Sequence, residues 1–118
     1  LKLVTEPISL TPDIRLKIFD GHTVGQLVTY LETGNRCFVY SGDVIPIAAN
    51  VPLAWVSAYD TFPLTSMNEK KILLDEAAEQ GQVLIFEHDA YTECCTVTRT
   101  GGRYKVAQTG TLESFMQA

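Results

Sequence analysis

Residues 14–19 alternate apolar and polar (Ile, Arg, Leu, Lys, Ile, Phe), a period of two that predicts a half-buried strand with Arg15 and Lys17 turned outward. Gly21 breaks that run. Residues 26–32 form a second stretch rich in β-formers, including Leu27, Val28, Thr29, Tyr30 and Leu31. Thr33, Gly34 and Asn35 then supply turn chemistry, and residues 36–40 predict a returning strand, so a hairpin is the simplest reading. Residues 44–63 change character: Pro46, Pro52 and Pro63 exclude one continuous helix or central strand, and Trp55, Tyr59 and Phe62 lie among them. A segment of about 20 residues without a period is expected to act as a lid or wall. Residues 66–80 predict the one long helix, with Ser66 as N-cap and Glu69 completing a capping box. Its expected apolar face is Ile72, Leu73, Leu74 and Ala77; Lys70, Lys71, Glu76 and Glu79 are expected to face water, and Gly81 to end it. A short buried strand over 82–86, a hairpin of 92–100 with 103–107 about Gly101-Gly102, and a short helix near 112–116 complete the chain. The expected class is α+β: a mixed sheet with one long covering helix.

Composition narrows this picture only modestly. The 118 residues suit one domain, 46% hydrophobic and 19% charged, and no internal repeat divides it. A formal charge of −5 argues against a nucleic-acid partner, which requires clustered Lys and Arg. No apolar run approaches the ~20 residues of a membrane-spanning helix, and no secretory h-region opens the chain, so no membrane partner is expected. The first residue is Leu1, which fits a processed or truncated chain. Cys37, Cys94 and Cys95 make a poor disulfide framework and suit a reducing, cytoplasmic setting. Adjacent Cys94 and Cys95 read either as soft metal ligands or as strand residues on opposite faces; the second reading is preferred.

Three residues share one placement. His22, Asp43 and His88 each follow the C-terminal end of a predicted strand, where open α/β sheets place ligands, and the chain has no other histidine. Imidazole and carboxylate suit zinc and similar metals. A histidine after a strand and a Ser-Gly-Asp sequence are also ordinary turn chemistry, and spacing alone leaves both readings open.

The surrounding residues, Gly21-His22-Thr23-Val24-Gly25, Tyr40-Ser41-Gly42-Asp43 and Phe86-Glu87-His88-Asp89, resemble in order the later motifs of the metallo-β-lactamase-fold hydrolases. The segment from Trp55 to Asp60 is similar to the lactonase-like and organophosphate-hydrolase-like branches. The resemblance implies an αββα sandwich of which residues 1–118 are the C-terminal half, a single partial domain. It implies that His22 binds a first metal, that His88 binds a second, and that Asp43 bridges both as the residue with a catalytic role. One or two zinc ions would then activate a hydroxide against an ester, lactone or phosphoester-type bond of a small-molecule substrate. Thr23 and Asp89 are implied to orient the imidazoles. Trp55, Tyr59 and Phe62 are expected to line the substrate pocket, although a Trp in such a segment also serves as core. The family's H-x-H-x-D-H motif is absent, since no histidine precedes His22. Weak zinc binding and little hydrolysis are therefore expected of the chain alone. Two readings follow: part of an enzyme completed by an N-terminal half, or a self-associating half-domain with a binding or structural role. Either way an apolar sheet face needs cover, from the missing half or from a second copy in a homo-oligomer.

Overall fold

The computed structural model describes residues 1–117. Seven strands form one sheet in sequential order: β1 (Ile8–Thr11), β2 (Ile14–Phe19), β3 (Gln26–Glu32), β4 (Cys37–Tyr40), β5 (Val83–Ile85), β6 (Cys94–Thr100) and β7 (Arg103–Gly110). All neighbours pair antiparallel except β4 and β5. A parallel pair cannot be closed by a tight turn, and the connection here runs through a long loop and helix α1 (Pro63–Gln80). That crossover is what carries the loop across the strand ends. Helix α2 (Leu112–Gln117) closes the described chain.

Register separates the two sheet faces. Lys17 pairs with Val28, Arg15 with Tyr30, and Tyr30 with Val39, which places all five on one face. Val28, Tyr30, Val39, Leu84 and Cys95 form the main core there, with Leu73, Leu74 and Ala77 of α1. Full burial of one such leucine contributes about 1.5–3 kcal/mol. On the opposite face Phe38, Val83 and Cys94 pack against Phe115 of α2. Ile8, Leu16, Ile18 and Leu27 also lie on this second face, and Leu27 is exposed. The sheet therefore has one face well covered and the other covered only towards α2.

Several expectations are corrected here. Strand β1 was not anticipated. Helix α1 begins at Pro63 rather than Ser66, with Phe62 at the N-cap and its carbonyl accepting the Ser66 N–H at 2.9 Å. Proline suits that first position because its φ is already helical and its missing N–H has no intrahelical partner to lose. Ser66 is thus buried in the first turn and makes no cap, and Glu69 serves the end of β2 instead. The buried stripe of α1 is Ser66, Lys70, Leu73, Leu74 and Ala77, spaced i, i+4, i+7, i+8, i+11; Ile72 is 59% exposed. Lys70 is fully buried rather than solvated. Lys17 faces α1 rather than open water: its Nζ lies 2.9 Å from Glu76 Oε2 and sits over the Tyr30 ring, while Arg15 on the same face pairs with Glu32 at 3.0 Å and stays partly exposed. The loop after β4 contains two short 3₁₀ turns, Gly42–Val44 and Ala48–Asn50, and inserts Val44, Ile45 and Val51 into the main core. Gly81 ends α1 in the left-handed conformation at φ 65°, as expected.

Candidate metal centre

The end of β2 is pinned directly to the first turns of α1. Glu69 accepts the Asp20 N–H at 2.8 Å and the Gly21 N–H at 2.7 Å. A Cβ at Gly21 would overlap the backbone nitrogen and Cα of Ser66, so only glycine allows this approach. Beyond it, the Gly21 and His22 carbonyls accept the N–H groups of Phe62 (2.8 Å) and Thr61 (3.0 Å). His22 is thereby fixed between the strand and the last residues of the loop.

Asp43 sits in the 3₁₀ turn that follows β4. Gly42 precedes it at φ 54°, and a side chain at Gly42 would meet Gln26 Nε2 at 2.7 Å. His88 follows β5, and its N–H donates to the Pro46 carbonyl at 3.1 Å, which ties this segment to the loop. Parallel pairing of β4 and β5 brings Asp43 and His88 to the same rim, although 45 residues separate them.

At that rim the three predicted residues meet. Asp43 Oδ2 lies 3.1 Å from His22 Nε2, and Asp43 Oδ1 lies 2.9 Å from His88 Nε2. One carboxylate thus presents a separate oxygen to each imidazole. All three line a hollow of about 360 Å³, together with Ile47, Asn50 and Tyr59 of the loop. His22 is the more enclosed histidine, and the His88 side chain is 58% exposed.

Two acidic residues that the sequence did not single out join the cluster. Asp60 Oδ1 lies 2.8 Å from His22 Nδ1, and only 2% of the Asp60 side chain is exposed. Glu87, Asp43 and His88 each offer one ligand atom, all within 4.8 Å of one another. Sequence adjacency to His88 was the available signal for Glu87. Asp60 closes the Trp55–Asp60 segment that carries the branch resemblance, but in an aperiodic loop 38 residues from its partner it gave no sign of this contact.

The other candidates are placed as follows. Thr23 is exposed. Asp89 accepts N–H groups from Ala48 (2.8 Å), Tyr91 (2.9 Å) and Thr92 (2.8 Å); the Ala48 bond first, with the other two, holds its carboxyl below the ordinary range against the opposing effect of burial. Asp89 therefore fixes the turn that carries His88. Tyr59 lines the hollow; Trp55 lines a different one, with Tyr104 and Lys105; Phe62 caps α1. Cys94 and Cys95 point to opposite faces, and burial pushes their thiols up to about 11 and about 12, unfavourable for thiolate ligands.

The donor set fits a divalent cation. Asp60, as an ionised carboxylate, can only accept, so it calls for a proton on His22 Nδ1. A neutral ring then turns the Nε2 lone pair towards Asp43, leaving two electron-rich atoms 3.1 Å apart. A cation between them removes that conflict. His22 with Asp43, and His88 with Asp43 and Glu87, fall short of the four ligands of a closed tetrahedral site.

No family model and no curated protein matches this sequence. Solved structures do. A probable metal-dependent hydrolase from Staphylococcus aureus is 25% identical with a TM-score of 0.79, the match covering 93% of this chain and 41% of that one. AidC, a dizinc quorum-quenching lactonase, is 18% identical with a TM-score of 0.80, covering 94% of this chain and 38% of its own. The hydrolase AbOPH of the beta lactamase superfamily is 18% identical with a TM-score of 0.71, at 81% and 34%. The chain spans well under half the length of these proteins.

Proposed function

We propose that this chain, whose fold is that of the C-terminal half of metallo-β-lactamase-superfamily hydrolases, is one portion of a metal-dependent hydrolase acting on an ester, lactone or phosphoester-type bond. The observation that carries this reading is the Asp43 carboxylate, with one oxygen on His22 and the other on His88. In this reading His22 would hold one zinc ion and His88 a second, with Asp43, which faces both imidazoles, as a shared ligand whose negative charge would offset the repulsion between two cations. When bound, zinc supplies Lewis acidity and a water acidic enough to act as nucleophile near neutral pH. The chain's own residues orient and confine: Asp89 fixes the His88 turn, and Tyr59 walls the hollow in which a small-molecule substrate sits, while Thr23, exposed and without a bond to His22, gives no support to an orienting role. The remaining ligands come from an N-terminal half, and the chain by itself is inactive.

The partly uncovered sheet face supports the need for a partner. Ile8, Leu16, Ile18 and Leu27 share it, and a second sheet packed there would remove them from water. The same face favours a second reading, a self-associating half-domain without catalysis. Among the described residues no helix is long and apolar enough to cross a membrane. Three free cysteines suit a reducing compartment, and we assign the chain to the cytoplasm on that ground.

Complementation separates the readings. The chain is co-expressed with an N-terminal half bearing an H-x-H-x-D-H motif, and zinc-dependent hydrolysis of a lactone and of a p-nitrophenyl ester is measured. Activity that disappears in Asp43→Asn supports the enzyme. Two halves that associate without any hydrolysis favour the structural module.

A further inference from the structure

We propose that Asp60 is the positioning residue for His22, holding its imidazole as the Nδ1–H tautomer so that Nε2 is the atom presented to a cation. This rests on reading His22 as a metal ligand and adds the residue that orients it. The Oδ1–Nδ1 distance is 2.8 Å, and the Asp60 side chain is almost wholly removed from water. A buried carboxylate with no partner is costly, and His22 Nδ1 is the donor it meets. Free imidazole exchanges between tautomers, and two carboxylates compete for its proton here. Asp60 at 2.8 Å from Nδ1 is nearer and buried, whereas Asp43 at 3.1 Å from Nε2 is a third exposed and can be served by water, so Nδ1–H is the tautomer selected.

Asp60 is delivered rigidly, although it lies in a loop. On its C-terminal side Thr61 and Phe62 donate to the His22 and Gly21 carbonyls, so backbone bonds flank the side-chain contact. On its N-terminal side Lys70 reaches from α1 to the carbonyls of Pro52 (2.7 Å), Leu53 (3.3 Å) and Trp55 (2.9 Å). The loop is thus clamped to the helix on one side of Asp60 and to the His22 strand end on the other. The chain Asp60–His22–Asp43–His88 is continuous, with contacts of 2.8, 3.1 and 2.9 Å.

The test uses the metal-free 118-residue chain. Long-range ¹H–¹⁵N spectra report the His22 tautomer at a pH where the ring is neutral; with two histidines in the chain, His88→Ala assigns the signals. Wild type should show protonated Nδ1 and bare Nε2. Asp60→Asn, whose carbonyl still accepts, should keep that tautomer, while Asp60→Ala should lose it. Zinc affinity should fall about 10–100-fold in Asp60→Ala and less in Asp60→Asn. A His22 ring protonated at Nε2 in wild type overturns the proposal, and so does an unchanged tautomer in Asp60→Ala. Should Asp60→Ala fail to fold, the wild-type tautomer and Asp60→Asn still decide. The tautomer is read without metal, so zinc binding that is indifferent to His22 would refute the metal reading and leave the positioning result standing.

Discussion

Replacing Lys70 with methionine removes one ammonium shared by three carbonyls; the Pro52 carbonyl keeps the Trp55 N–H at 3.0 Å, the Trp55 carbonyl keeps Asn50 Nδ2 at 3.0 Å, and the Leu53 carbonyl loses its donor. The stem volume is nearly conserved, so packing against Leu73 and Leu74 changes little. Lys70 has no exposed surface, and its Nζ bonds carbonyls at 2.7, 2.9 and 3.3 Å. Hydrogen bonds to a charged group contribute about 1.5–3 kcal/mol each. Two terms reduce the sum: the cost of burying the ammonium disappears, and the exposed Pro52–Trp55 segment can hydrate part of its carbonyls. We expect a net loss of about 2–4 kcal/mol. With an unfolding entropy of ~2.1 cal/mol/K per residue, that lowers Tm by roughly 8–16 °C in a chain of this length. Burial pulls the Lys70 pKa down to about 8, against the pull of Asp60, so thermal unfolding should be followed by circular dichroism below that pH. Lys71→Met is the internal control: Lys71 is exposed and pairs with Asp75 one turn on, an ion pair screened by water, so its loss should leave Tm nearly unchanged. Equal shifts for the two variants would refute the clamp.

Three further outcomes are expected. Gly21→Ala forces a Cβ into the backbone of Ser66 and should cost about 2 kcal/mol or more by chemical denaturation, with a parallel loss of zinc affinity because His22 is the next residue; wild-type stability would contradict the close approach. Burial alone would raise the Glu76 pKa, but bonds from Lys17 and Gln82 outweigh it and hold it below the ordinary 4.5. A depressed folded value means stabilisation that is complete above 4.5 and lost as pH falls through the folded value, so the stability gap between wild type and Glu76→Gln should close in acid; a gap independent of pH would oppose this. Without a partner half, the chain should sediment as a dimer or larger at micromolar concentration, and a stable monomer there would mean that the open face needs no cover.

Turn chemistry and period made most strands readable before any coordinates. Residues 14–19 and 26–32 were bounded correctly because Gly21 and Thr33-Gly34-Asn35 interrupt clear runs. Strand β1 was missed although Ile8-Ser9-Leu10-Thr11 alternates, because four residues are too short a run to stand out and they pair with β2 alone. Alternation divided β2 into two faces but could not tell which one meets α1, hence the misplaced Lys17. The helix start was displaced because Ser66 and Glu69 mimic a capping box, while Pro63 fixes the first turn. Lys70 looked solvated because its partners are backbone carbonyls, which leave no mark on side-chain periodicity. His22, Asp43 and His88 were legible because strand ends share a rim; Asp60 was not, since only the tertiary path of an aperiodic loop brings it to His22.

Zinc titration of the metal-free chain by calorimetry, with His22→Ala, Asp43→Asn and His88→Ala in parallel, tests most directly whether this rim is a metal centre. Measurable binding in wild type is expected, weakened at least 10-fold in each variant and most in Asp43→Asn, because Asp43 faces both imidazoles. Identical affinity and stoichiometry in all four proteins would mean that His22, Asp43 and His88 form a hydrogen-bonded cluster and not a metal site.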